Sequence, residues 1–136
     1  MSPSSRVDLV SVIILGGFGV FTVALGVWAI IAPVSFFDNI GHFEPYNRHF
    51  LHDVGAFQLG LGAAALFALV WRGDAMLAVL GGVAAGATAH EIAHITDAGI
   101  GGRDSDPYTL GLIAAILVAT FVWRLLVRYG QPDASG

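Results

Sequence analysis

Long apolar runs alternate with short polar breaks along this chain. The first runs from about Leu9 to Ala32 and stops at Pro33. The second, about Phe50 to Trp71, is broken by Arg72-Gly73-Asp74. The third, about Ala75 to Ala98, ends in the glycine-rich turn Gly99 to Gly102. The fourth, about Pro107 to Tyr129, begins at Asp106-Pro107, where an acid followed by proline suits a helix start. Each run is near the roughly 20 residues that a helix needs to cross a bilayer. No period-two alternation and no internal repeat interrupts this pattern. It predicts an all-α protein, an antiparallel four-helix transmembrane bundle in which residues 1–136 form a single integral membrane domain with spans at about 9–32, 50–71, 75–98 and 107–129.

The connection from Pro33 to Arg48 is the longest and is not plainly polar. Val34, Phe36, Phe37, Ile40 and Phe43 are interleaved with Asp38, Asn39, His42 and Glu44. This predicts a short interfacial helix or a cap on the outer face; the simpler alternative is a loop with an aromatic anchor, with His42 at the surface. Glycines recur inside the spans, at Gly16, Gly17 and Gly19, at Gly55, Gly60 and Gly62, and at Gly81, Gly82 and Gly86. The stripe Ala78, Gly82, Gly86 continues to His90 and His94 in four-residue steps. Small residues so spaced let a neighbouring helix approach, so the tightest contact is expected to lead toward these histidines. The first run is expected to be retained rather than cleaved as a signal peptide, and the polar tail from Gly130 to Gly136 to fray.

The polar residues that break the apolar pattern form two groups. One is His49, His52 and Asp53 at the start of the second run. The other is His90, Glu91, His94 and Asp97 at the end of the third. In an up-and-down path these two ends share a membrane level. At about 1.5 Å of rise per residue, Asp53 and His94 lie roughly 5 Å inside the boundary, and His90 about 12 Å deep, level with Gln58. Spacing places His49 with Asp53, and His90 with His94 and Asp97, on common faces. Glu91 and His52 are displaced from those lines. Ionisable groups at such depth carry a solvation cost and so point to a function. Imidazole and carboxylate together suit zinc, iron, manganese or copper, and helix bundles build such centres from facing side chains. The expected metal ligands are His49, His52, Asp53, His90, His94 and Asp97.

Composition narrows the partners. The chain of 136 residues is 56% hydrophobic and 12% charged, with mean hydropathy +0.76, which suits a lipid bilayer rather than water. A net charge of −4 excludes an electrostatic nucleic-acid surface. With no cysteine, thiolate sites and disulfides are excluded. Arg6, Arg72, Arg124 and Arg128 fall at one end of the bundle, Arg48 and Arg103 at the other. The larger group predicts cytoplasmic N- and C-termini, in a bacterial cell membrane. Trp71, Trp123 and Tyr129 are expected at the inner interface, and Trp28, Tyr46 and Tyr108 at the outer one. Asp104 and Asp106 read as a solvated turn and helix cap.

Other readings of the polar groups compete. His90-Glu91-Ile92-Ala93-His94 resembles the zinc metalloprotease signature H-E-x-x-H, which would make Glu91 a catalytic general base. Histidines on two helices suit axial ligation of haem b, with Arg48 or Arg103 near its propionates. The groups can also pair with one another or with a partner, as in a homo-oligomer or an accessory subunit of a membrane complex with no metal. The four-span plan with glycine-rich first and second helices resembles the small bacterial membrane proteins grouped as DoxX-like. That resemblance is one of layout and implies the architecture alone, because the His-rich third span and the segment Pro45 to Gly55 depart from it.

Overall fold

The computed structural model describes residues 2–130, and the polar tail beyond Gly130 lies outside them. Within those residues the chain is helical: α1 (Pro3–Ile31), α2 (Pro33–Asn39), α3 (Arg48–Trp71), α4 (Gly73–Thr96) and α5 (Asp106–Tyr129). α1 begins six residues earlier than the apolar run, because Ser2 caps it. The Ser2 hydroxyl accepts from the Ser5 amide at 3.2 Å, and proline occupies the first turn. Pro33 ends α1 and opens α2, the short helix expected in the long connection. Asn47 caps α3 through a bond from the Phe50 amide to its Oδ1 at 3.1 Å. Arg72 and Gly73, with φ of 50° and 51°, turn the chain from α3 directly into α4.

The long helices form a four-helix bundle in which α1 packs most closely on α3, and α4 on α5. Glycine makes the first pairing possible. A Cβ on Gly26 would stand 2.7 Å from the Gly55 carbonyl oxygen, and one on Gly62 would stand 2.8 Å from that of Gly19. The early glycine of α1 thus meets the late glycine of α3, so these two helices run in opposite directions. α4 and α5 are paired likewise, with Glu91 against Gly111 at one end and Asp74 against Arg128 at the other.

Small and apolar residues fill the interior. Leu15, Ala65, Ala68, Met76, Leu80, Val83, Ala84 and Leu117 form the main cluster. Ala29, Phe36, Phe37 and Leu51 form a second one where α2 covers the ends of α1 and α3. The buried threonine hydroxyls are satisfied within their own helices, as Thr22 bonds Phe18 O at 2.9 Å and Thr120 bonds Ile116 O at 2.7 Å. Large apolar side chains instead face outward on every long helix, among them Phe57 at 76% exposure and Val70 at 74%. All four long helices are long and apolar enough to cross a membrane.

The small-residue stripe of α4 does not make the close contact expected of it. Ala78, Gly82 and Gly86 are exposed, and a Cβ on Gly82 or Gly86 would meet nothing within 4 Å. α4 buries Met76, Leu80 and Val83 instead, because these bulkier residues fill the space toward the rest of the bundle.

At the end of the bundle that holds Arg72, a charged side chain is built into the core. Arg124 is only 8% exposed. Its Nη1 donates to Asp8 Oδ1 at 2.6 Å and to Ser11 Oγ at 3.4 Å, and its Nη2 to Gly73 O at 3.4 Å. One guanidinium thereby joins α1, α5 and the α3–α4 turn. Nearby, Arg128 Nε donates to Asp74 Oδ1 at 3.3 Å.

Two outcomes follow for thermal unfolding in detergent micelles. Gly26→Ala should cost about 1–3 kcal/mol through overpacking, whereas Gly82→Ala should stay within about 1 kcal/mol of the parent. Asp8→Asn should cost about 1–3 kcal/mol by leaving a buried guanidinium without its counter-ion, and more than Arg124→Leu, which removes that charge and frees a half-exposed carboxylate.

Candidate functional site

The glycine contacts fix how α3 is rotated. Gly55 faces α1, and at about 100° per residue Asp53 and His49 lie roughly 160° and 120° round the helix from it. Both therefore turn away from the bundle, with side chains 55% and 88% exposed. They meet only each other, His49 Nε2 standing 3.7 Å from Asp53 Oδ2. His52 lies on a different face. Its Nε2 is buried without a hydrogen-bond partner among the described residues.

α4 presents a different face from the one expected. Glu91 follows Leu80 by about three full turns and returns to within roughly 20° of the same inward direction. Its carboxylate lies against Gly111 of α5, where a Cβ would stand 3.2 Å from Oε1, and its Oε2 is buried without a hydrogen-bond partner among the described residues. Glu91 is thus displaced from the His90–His94 line as expected, but it is Glu91 that faces inward against α5. In the H-E-x-x-H arrangement the glutamate must reach water beside the histidines; here it points at a neighbouring helix.

His90 and His94, one turn apart, bring their Nε2 atoms to 3.1 Å. Their rings meet edge to face, with centroids 4.8 Å apart. On the far side of the His94 ring, Nδ1 faces Asp106 Oδ2 at 3.7 Å, with both side chains largely buried. The same Asp106 oxygen accepts from the Arg103 amide at 2.9 Å, so the first residue of α5 caps the preceding turn and also faces His94. Asp106 carries more than the solvated capping role expected of it. The signal was available in the sequence, since a short turn after α4 must return the start of α5 to the end of α4.

The segment after α2 packs against His94. The Arg103 guanidinium donates to the Asn39 carbonyl, and the Gly102 amide donates to His42 O at 3.2 Å. These bonds tie the α4–α5 turn to the segment and place the Phe43 ring edge to face with His94, 5.8 Å between centroids. Gly101 permits the approach: a Cβ there would stand 2.9 Å from Phe43. The His42 ring itself stacks on Phe37 at 5.3 Å and takes no part in the pair. A pocket of about 120 Å³ remains, lined by Phe43, His90, Ala93, His94, Asp97 and Gly101. Asp97, the C-cap of α4, stands exposed at its rim.

Of the residues expected to meet, the structure brings together His90, His94 and Asp97 and leaves His49 and Asp53 on another face. Among the described residues, no three His, Asp or Glu side chains converge on a point that would hold a metal ion. No known protein family, curated protein or solved structure matches the chain.

Glu91→Met should raise thermal stability in micelles by about 1–2 kcal/mol, because a buried oxygen with no hydrogen-bond partner among the described residues gives way to an apolar side chain of similar volume. A fall in stability on this substitution would show that the carboxylate has a partner the geometry does not reveal.

Proposed function

We propose that the chain is an integral membrane protein that binds a divalent transition metal through His90 and His94 near the outer end of α4. The observation that carries this reading is the 3.1 Å separation of the two Nε2 atoms. Two imidazoles on one ion at about 2.0–2.1 Å per bond stand roughly 2.9 Å apart at a right angle and about 3.4 Å apart at the tetrahedral angle. The observed value lies between. Asp106 supports the reading: a carboxylate behind Nδ1 orients the His94 ring and turns its Nε2 toward that of His90, so a metal would take the place of the hydrogen bond that now joins the two nitrogens. Asp97 lines the same pocket and is a source of a third ligand, and the remaining positions fall to water or substrate. The pocket volume suits a hydrated ion and falls far short of a porphyrin. The outward display of large apolar side chains, with an arginine buried inside, supports placement in lipid. The four arginines at the Arg124 end support cytoplasmic termini, since the orientation rule counts cations rather than net charge.

Purified protein, stripped with chelator and titrated with cobalt(II), should bind about one ion per chain and show ligand-field bands in the visible range. His90→Ala and His94→Ala should each lower affinity at least about tenfold, as loss of one of two protein ligands requires. A His49→Ala/Asp53→Asn double variant should bind as the parent does. Equal uptake by the parent and a His90→Ala/His94→Ala variant would overturn the assignment.

A further inference from the structure

A second, larger concavity lies at the same end of the molecule, away from the histidine pair. It is an open groove of about 580 Å³ between the end of α1, α2 and the start of α3, with Ile31, Val34, Asp38, Asn39, Tyr46 and Arg48 among its lining. Its wall changes character along its length. Ile31, the last residue of a membrane-length helix, is 77% exposed. Asp38 and Arg48, also in the lining, are charged and exposed. The groove therefore sits where apolar helix gives way to polar chain, which is the level of lipid headgroups when α1 spans a bilayer.

Its two charges are opposite in sign and both line the groove, yet they do not pair. Among the described residues, every ion pair involves other groups. Tyr46 is held by an edge contact between its ring and that of Phe37, with centroids 5.3 Å apart, and no hydrogen bond from the described residues occupies its hydroxyl. A free guanidinium and a phenol suit a phosphate. A free carboxylate beside them suits an ammonium and repels a headgroup that is only anionic.

We propose that this groove binds a zwitterionic aminophospholipid, with its phosphate on Arg48 and Tyr46, its ammonium on Asp38, and an acyl chain along Ile31. The site does not depend on the histidine pair, so either assignment can fail without the other.

Native mass spectrometry of the full chain in detergent, titrated with dioleoyl phosphatidylethanolamine or dioleoyl phosphatidylglycerol, tests the assignment. Phosphatidylethanolamine should bind at least about fivefold more tightly. Arg48→Gln should weaken its binding about tenfold, in line with loss of a charge-assisted bond to phosphate. Asp38→Asn should abolish or reverse the preference between the two lipids. Circular dichroism confirms that each variant keeps its helices, and both positions are exposed enough for the substitutions to leave the fold intact. Equal binding of the two lipids by the parent, a preference for phosphatidylglycerol, or an Asp38→Asn variant with unchanged preference would overturn the proposal. So would an Arg48→Gln variant that binds as tightly as the parent.

Discussion

The backbone contact between α1 and α3 governs the rest of the molecule. Where Gly26 meets Gly55 and Gly19 meets Gly62, the helices approach until carbonyl oxygens occupy the space a side chain would fill. Such a contact has one rotational setting. Once Gly55 faces α1, every other residue of α3 has its direction assigned, including the outward turn of His49 and Asp53. In lipid, where apolar side chains gain little by leaving the solvent for one another, dispersion across this close interface replaces the hydrophobic drive that assembles a soluble bundle.

The other half of the bundle is held by different means. α4 and α5 contact through larger side chains, with Phe121 against Gly81 and Glu91 against Gly111. At one end Arg124 joins them to α1 through Asp8 and Ser11. At the other, main-chain bonds and the Arg103 guanidinium stitch the α4–α5 turn to the segment after α2. His94 of the histidine pair lies beneath that stitch. Its geometry owes more to the turn and to Phe43 than to α3, which the sequence presented as its natural partner.

The helices were legible because length and hydropathy determine them. Four apolar runs of membrane-crossing length leave the chain little else to do. The local pairing of His90 with His94 was legible because it needs only helical spacing within one element. Matching levels across helices was not enough for the wider site. Depth follows from counting residues, but rotation about the helix axis depends on which glycines find a partner. Ala78, Gly82 and Gly86 have the spacing of a close interface and lie open, whereas Gly26 of α1 makes one of the closest contacts. Asp106 could be placed at the right end by the short turn, although its reach to His94 depends on the path of residues 97–105.

The α1–α3 contact inverts the usual distribution of bulk: glycine and alanine line its closest points, and phenylalanine, valine and isoleucine crowd the outer faces of both helices. Its mutational tolerance is inverted with it. Perimeter positions need only remain oily, and one bulky apolar residue serves there as well as another. At the inner glycines of α1 and α3 a side chain of any polarity meets the backbone or packed neighbours of the facing helix. Among divergent copies of this chain, the contact glycines would then hold as firmly as buried Leu15, Met76, Leu80 and Leu117, and the outward-facing large hydrophobic residues would drift freely.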